Sequence, residues 1–347
     1  MALNEGLEMA AQNRAARNGT ILVTGGAGYV GSHVVLALDD ADWPVLVVDN
    51  LSTGRRESLP QRVPLAEGDV GDPDFLPNLF GCHRIRAVLH FAASTVVPDS
   101  VCQPLSYYRN NTLNSLNLIE ASVAAGIEAF VFSSSAAVYG NPPDSPVDED
   151  APTRPINPYG WSKLMTEQML VDASAAHGIR HVILRYFNVA GADPEGRSGQ
   201  ATPRATHLLK AACETALGKR QSLLLFGDDY PTPDGTCIRD FVHVSDLADA
   251  HVKALEHLIA GGSSLTLNCG CGHGYSVRQV LDMVAAAHGR EFAVERAPRR
   301  AGDAVEVVAA TERIRRELDW RPRYDDLERI VRDALAYERA LGNAQEA

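Results

Sequence analysis

Residues 20–33 read TILVTGGAGYVGSH, an aliphatic run that stops in four glycines and leads into a helix-like stretch beginning near Ser32. The loop satisfies both G-x-x-G-x-x-G, on Gly25, Gly28 and Gly31, and G-x-G-x-x-G, on Gly26, Gly28 and Gly31. Glycine lets a backbone turn tightly and approach a ligand. The first N–H groups of the following helix are unpaired donors at the positive end of its dipole. A pyrophosphate therefore fits across Gly25, Gly28, Tyr29, Val30 and Gly31. The next apolar run, VLVVDN, ends in Asp49, 18 residues beyond Gly31. A carboxylate there accepts hydrogen bonds from an adenosine ribose diol and repels a 2′-phosphate, which favours NAD over NADP. Asp69, in EGDV after a further apolar turn, is a second candidate for the adenine end; an ordinary loop aspartate reads the same way.

Working outward, AVLHFAA, AFVFSSS and HVILRYFN continue the alternation of short strand-like runs with longer helical stretches. That rhythm predicts an α/β fold, a Rossmann-like doubly wound parallel sheet. The runs are almost wholly apolar, as strands buried on both faces must be. After Asn188 the texture shifts to the Gly-, Pro- and charge-rich GADPEGRSGQATPR, which predicts a second, smaller mixed α/β domain. The expected division is a tail over 1–18, a nucleotide-binding domain over 19–187 and a substrate domain over 188–239 and 271–347. Segments at about 240–270, the helix Val244 to Ile259 and the strand Leu265 to Cys269, return to the first sheet.

The chain has 347 residues, with 32 basic against 44 acidic side chains, a net charge of −12. This disfavours nucleic acid and anionic membrane surfaces, and leaves an anionic ligand to be held by local Arg, Lys and backbone donors. Six scattered cysteines with no C-x-x-C pair read as core thiols of a cytoplasmic protein, and no metal site is expected. Residues 1–18 lack the apolar stretch of a signal peptide. No run of ~18 apolar residues predicts a membrane span.

Asn157-Pro158-Tyr159-Gly160-Trp161-Ser162-Lys163 opens a helix, with Asn157 suited to the N-cap and Pro158 to the first turn. Tyr159 and Lys163, four apart, share a face; Trp161, Leu164, Met165 and Met169 are expected to form the packing face. A phenol with a reference pKa of ~10 is a poor base at neutral pH, and a nearby ammonium or nicotinamide cation is expected to favour the phenolate. Ser133, Ser134 and Ser135 end the strand AFVFSSS, where an α/β sheet presents ligand-binding groups, and Ser135 can hold a reacting hydroxyl beside Tyr159. Tyr-x-x-x-Lys alone also arises as a surface helix pair. With the glycine loop and the serine-ended strand it points to one site.

From about Thr20 to Ala340 the chain resembles the extended short-chain dehydrogenase/reductase superfamily and, within it, the UDP-glucose 4-epimerase family. The resemblance rests on TGGAGYVGSH, VVDNLSTG, EGDV, HFAAS, FSSSAAVYG, NPYGWSK, LRYFNVAGADPEG, FGDDYPTPDGTCIRDFVHVSDLADAH and APRRAGD. It implies an NAD-dependent isomerase that epimerises a UDP-hexose at C4 through a 4-keto intermediate. Tyr159 would be the acid/base, Lys163 its partner and a ribose ligand, and Ser135 the hydroxyl sharing the substrate proton. Asn50, Asp69, Val70, Phe91, Ala92 and Ala93 would complete the cofactor site. Asn188, His207, Leu208, Arg239, Arg300 and Asp303 would contact the UDP-sugar. Read without the resemblance, Arg239 and Arg300 also suit surface ion pairs, His207 a helix start and Asn188 a strand-end cap. A homodimer through the helices at Leu105 to Ala125 and Tyr159 to Ala176 is implied as well.

Two departures stand out. Thr95 occupies a position where many members carry lysine. Val307, four after Asp303, is small where a large aromatic would restrict the pocket, so N-acetylated UDP-hexosamines are expected to fit. A dehydratase or decarboxylase needs acid/base groups where this chain has Ala136 and Ala137. A 4-epimerase of a UDP-uronate or UDP-pentose uses the same chemistry, and a non-catalytic NAD-binding scaffold would have no need of Tyr159, Lys163 and Ser135.

Overall fold

The computed structural model describes residues 19–202, 206–300 and 303–346; the expected N-terminal tail lies outside the described residues. Seven strands, β1 (Thr20–Thr24), β2 (Val45–Asp49), β3 (Leu65–Glu67), β4 (Ile85–His90), β5 (Ala129–Ser133), β6 (Arg180–Tyr186) and β7 (Leu265–Cys269), form one sheet. Their order is β7-β6-β5-β4-β1-β2-β3 and every pairing is parallel. Alternate residues face opposite sides. On one side Ile21, Val23, Leu89 and Val131 pack against α1 (Tyr29–Asp40) through Val34 and Leu38, and against a returning helix through Leu247, Leu255 and Leu258. On the other, Leu22, Val88, Phe130 and Ile183 pack against α2 (Asn114–Ala124) through Leu118 and Ile119, and against α3 (Pro158–His177) through Leu170. Each such side chain contributes roughly 1.5–3 kcal/mol on leaving water. The returning helix, α4, spans Val244–Ile259.

The strand order reverses beside β1, which pairs with both β2 and β4, so a crevice opens at the carboxyl ends of these strands. Across it lies a smaller body. Its core of Leu209, Ala212, Leu225, Val280, Ile330 and Leu335 joins three helices, Leu208–Ala216, Val277–His288 and Leu327–Glu346, to a parallel pair of strands, Leu223–Phe226 and Val294–Ala297. A three-stranded sheet, Tyr275–Ser276, Ile238–Arg239 and Glu306–Val307, faces the crevice with Ile238–Arg239 in the middle. Not all of 271–347 belongs to this body: Ile314, Leu318 and Trp320 pack into the first core.

Two helices differ from expectation. The stretch expected as one helix from Leu105 to Ala125 is interrupted by a π-helical segment, Tyr108–Leu113. On α3 the expected packing residues Trp161 and Met165 are about two-fifths exposed, while Tyr159, Ser162, Lys163, Thr166 and Glu167 are buried. The polar face turns inward because it meets hydrogen-bonding partners there; of the expected packing residues, Leu164 and Met169 pack against buried clusters while Trp161 and Met165 stay open. Among the described residues, no helix is long and apolar enough to cross a membrane.

Candidate active site

Gly25 and Gly31 leave no room for side chains in the loop. Gly25 adopts φ +70°, and a Cβ on it would lie 2.5 Å from the Ala92 nitrogen; one on Gly31 would lie 2.2 Å from the Gly25 oxygen. α1 can thus start directly against the ends of β1 and β4. Asp49 ties β2 to this loop, since its Oδ2 accepts from Ala27 N and its Oδ1 from Leu51 N, both at 2.9 Å. Each oxygen keeps acceptor capacity for a ribose diol. Beyond it, Asn50 donates to Asp69 at 2.9 Å, and Asp69 also accepts from Gly71 N at 2.7 Å and from Asn114 at 3.3 Å. Gly25, Gly28, Tyr29, Val30, Gly31, Asp49, Asn50, Asp69 and Val70 line one end of a cavity of about 760 Å³, and Phe91, Ala92 and Ala93 continue its wall. A cradle closed to a Cβ at Gly25 and Gly31, at a helix start and beside an acidic strand end, fits a dinucleotide.

The middle of the cavity carries Ser135 and Tyr159. Asn157 caps α3 by accepting from Gly160 N at 2.8 Å, with Pro158 in the first turn, which places Tyr159 at the strand ends. Ser135 accepts from Ala137 N at 3.1 Å and lines the cavity together with Tyr159. Lys163 stands behind the wall, 3 % exposed, and donates to the Ser133 carbonyl at 2.9 Å. Burial raises the Tyr159 pKa above that of a free phenol, opposed by the Ser135 hydroxyl. The Lys163 ammonium, held on the Ser133 carbonyl, lies 5.9 Å from the Tyr159 ring centre. Burial also pulls Lys163 down to about 8, against the attraction of Glu167.

Reading the sequence missed three groups here. Tyr186, at the end of β6 in LRYFN, lines the cavity and accepts from the Ser133 hydroxyl at 3.1 Å. Asn111, in the π segment, accepts from Ser94 N at 2.8 Å and donates to Ser94 O at 2.9 Å and to Ser162 at 3.1 Å, joining the loop after β4 to α3. Glu167 is the third. Tyr186 was within reach, as a polar residue ending an apolar strand; nothing local marks Asn111.

At the far end Asn188, His207, Arg239, Asp303, Thr95 and Val307 line the same cavity. His207 bonds Gln200 at 3.2 Å. Val307 is paired in register with Arg239, so the small residue and the cation sit on adjacent strands. Arg239 lies 4.0 Å from Asp303. Arg300, expected at the ligand, is instead half-exposed outside the cavity lining. It bonds Asp303 at 3.1 Å and stacks over Phe226 at 4.7 Å, because the Asp303 carboxylate and the ring are its nearest partners. Leu208, expected at the ligand, packs its side chain against the second core and does not line the cavity. Ala136 and Ala137 present methyl groups to the cavity.

A dinucleotide cradle, a buried Tyr-Lys pair with a serine, and an arginine-lined annex in one crevice define an enzyme of nucleotide-sugar chemistry, and the chain belongs to the NAD dependent epimerase/dehydratase family, whose model matches residues 21–270. Within that family its similarity is to UDP-glucose 4-epimerases. The one from Azospirillum brasilense is 60% identical over 329 residues, covering 95% of this chain and 94% of its own. That of Rhizobium meliloti is 47% identical over 309 residues, 89% of this chain and 94% of its own. Among solved structures, the Brucella ovis UDP-glucose 4-epimerase in complex with NAD superposes with a TM-score of 0.90 at 41% identity, covering 92% of this chain and 98% of that one. The UDP-Glc/GlcNAc 4-epimerase from Campylobacter jejuni gives 0.82 at 46% identity, covering 93% and 100%.

Proposed function

We propose that this chain interconverts the C4 epimers of a UDP-hexose, UDP-glucose and UDP-galactose, using NAD held in the glycine-loop end of the cavity. The observation that carries the reading is the continuity of one cavity from Gly25 and Gly31, past Ser135 and Tyr159, to Arg239 and Val307. Bound NAD supplies a hydride acceptor and donor for C4. Tyr159 takes the 4-hydroxyl proton, Ser135 holds that hydroxyl within reach, and the same phenol returns the proton after the keto sugar presents its other face. Lys163, one turn behind, supplies the positive charge that a phenolate needs in a buried site. Asn50, Asp69 and Val70 bound the adenine end, and Phe91, Ala92 and Ala93 the middle of the cofactor.

For the substrate, Arg239 matches a diphosphate with its fork of donors, and Arg300 reaches the same anion by leaving Asp303 and Phe226. Asn188 and His207 complete the annex. Ala136 and Ala137 cannot transfer protons, which disfavours elimination of water. Val307 leaves space beside the sugar, so UDP-N-acetylhexosamines are accepted as well. Two copies pair through the apolar side chains left open around the π segment and on α3: Val101, Leu105, Leu113, Trp161 and Met165 are 40–79 % exposed. Free thiols at all six cysteines suit a cytoplasmic protein.

Incubation with UDP-galactose, UDP-N-acetylgalactosamine, UDP-galacturonate and UDP-arabinose, with products resolved by chromatography, tests this reading. UDP-glucose should form from UDP-galactose, and its absence would overturn the assignment. A rate confined to UDP-galacturonate or UDP-arabinose would move the activity to that sugar.

A further inference from the structure

Beneath the site lies a chain of polar side chains that the proton relay does not use. The Ser134 hydroxyl donates to Glu167. Glu167 receives Arg185 through Nε at 3.1 Å to both oxygens and through Nη2 at 2.6 Å. Arg185 continues to the Tyr139 hydroxyl at 3.1 Å and the Glu149 carbonyl at 3.2 Å, and Tyr139 donates to Asn268 at 2.7 Å. Glu167, Arg185, Tyr139 and Asn268 are all buried. A buried ion pair is an expensive way to stabilise a fold, since an apolar pair of the same volume often does as well. Its position is what sets this one apart.

The three serines ending β5 divide the work. Ser133 takes Lys163 on its carbonyl, Ser135 lines the cavity with Tyr159, and Ser134, between them, is tied to Glu167. Glu167 stands one helical turn beyond Lys163 and two beyond Tyr159 on the same buried face of α3. Resting on the reaction proposed above, we infer that Glu167, clamped by Ser134 and Arg185, is a positioning residue for the relay. It braces the strand end bearing Ser135 against the helix bearing Tyr159 and Lys163, and its carboxylate keeps the buried Lys163 ammonium charged.

The groups around Lys163 leave that task to Glu167. Tyr159 on the same helix and Tyr186 on β6 are phenols raised by burial, as is Tyr107 from the helical stretch before the π segment. His90 on β4 is depressed to about 3 and stays neutral. Arg185 on β6 is already neutralised by Glu167. With the carboxylate gone, burial and the now uncompensated Arg185 guanidinium both act on Lys163, and its proton leaves at lower pH.

The test is the pH profile of kcat and KM for UDP-galactose in the NAD-loaded wild type, Glu167→Gln, Glu167→Asp and Ser134→Ala. In Glu167→Gln the alkaline limb of kcat should move about one unit or more to lower pH, and kcat above neutrality should fall about tenfold, with KM within about twofold. Glu167→Asp, which retains the charge, should restore the limb. Ser134→Ala, which removes the brace but not the charge, should lower kcat about tenfold without moving the limb. An unmoved limb in a folded, NAD-loaded Glu167→Gln overturns the charge-setting role. If that variant does not fold, an unchanged kcat in Ser134→Ala overturns the brace. Normal wild-type turnover beside either result confines the failure to this inference and spares the proposed reaction.

Discussion

Lys163 donates to the backbone carbonyl of Ser133 at 2.9 Å, so the helix that supplies the ammonium is bonded directly to the strand that delivers Ser135. Removing either partner of the relay should separate chemistry from architecture. Tyr159→Phe is expected to lower turnover by about 10³-fold or more while NAD stays bound. Lys163→Met should lower turnover about 10²-fold and also loosen the cofactor. Product chromatography and the nucleotide released on denaturation read the two effects. Full activity in Tyr159→Phe would remove the phenol from the proton path.

Gly31 has no space for a methyl group, since a Cβ there would stand 2.2 Å from the Gly25 oxygen and 2.9 Å from the Gly26 Cα. Gly31→Ala should force α1 away from the loop, cost about 1–3 kcal/mol of stability and strip the enzyme of NAD. A thermal melt and the cofactor content of the purified variant check both at once.

Four histidines are held neutral by burial: His90 at about 3, and His33, His181 and His251 at about 4. A folded pKa below the unfolded value of ~6.5 means that the unfolded chain gains protons the native one refuses as pH falls. Stability is therefore complete above about pH 6.5 and drains away between there and about pH 4, by about 1 kcal/mol per histidine at pH 5.5. Urea midpoints measured across that window should fall steeply; a flat profile would mean that these imidazoles titrate normally.

The register of Val307 beside Arg239 makes it the place to narrow the annex. Val307→Tyr should leave UDP-galactose turnover within about threefold and reduce UDP-N-acetylgalactosamine turnover by about tenfold or more, the scale on which a filled apolar pocket discriminates. Competition between the two sugars in one reaction gives the ratio directly.

Leu105 is 79 % exposed in the single chain. Leu105→Asp should place a charge in the face proposed to pair two copies, and light scattering at micromolar concentration should then report monomer where the parent reports dimer. A parent that is itself monomeric would reject that face as an interface.

What the sequence made legible was local. The glycine loop, Asp49, the Asn157 cap and the Tyr159–Lys163 spacing each declare themselves within a few residues, and the aliphatic strands declare a sheet covered on both sides. What it hid depends on distant partners. Glu167 faces inward because Arg185 and Ser134 meet it, and Trp161 faces outward because the opposite side of α3 is already occupied by polar contacts. Leu208 and Arg300 are held by partners far along the chain or outside their own segment, the one by the second core and the other by Asp303 and Phe226. No spacing rule within a motif reveals such partners.

The pairing of β7 with β6 has a consequence for synthesis. Between Tyr186 and Leu265 the chain leaves the sheet, so a growing polypeptide carries β6 as an open, aliphatic edge until the missing strand emerges, roughly 4 to 16 seconds later at ordinary translation rates. An unpaired edge of that kind recruits other chains. The window in which this protein most needs a chaperone thus opens when β6 leaves the ribosome and closes only with Cys269, long after every residue of the proton relay has been made.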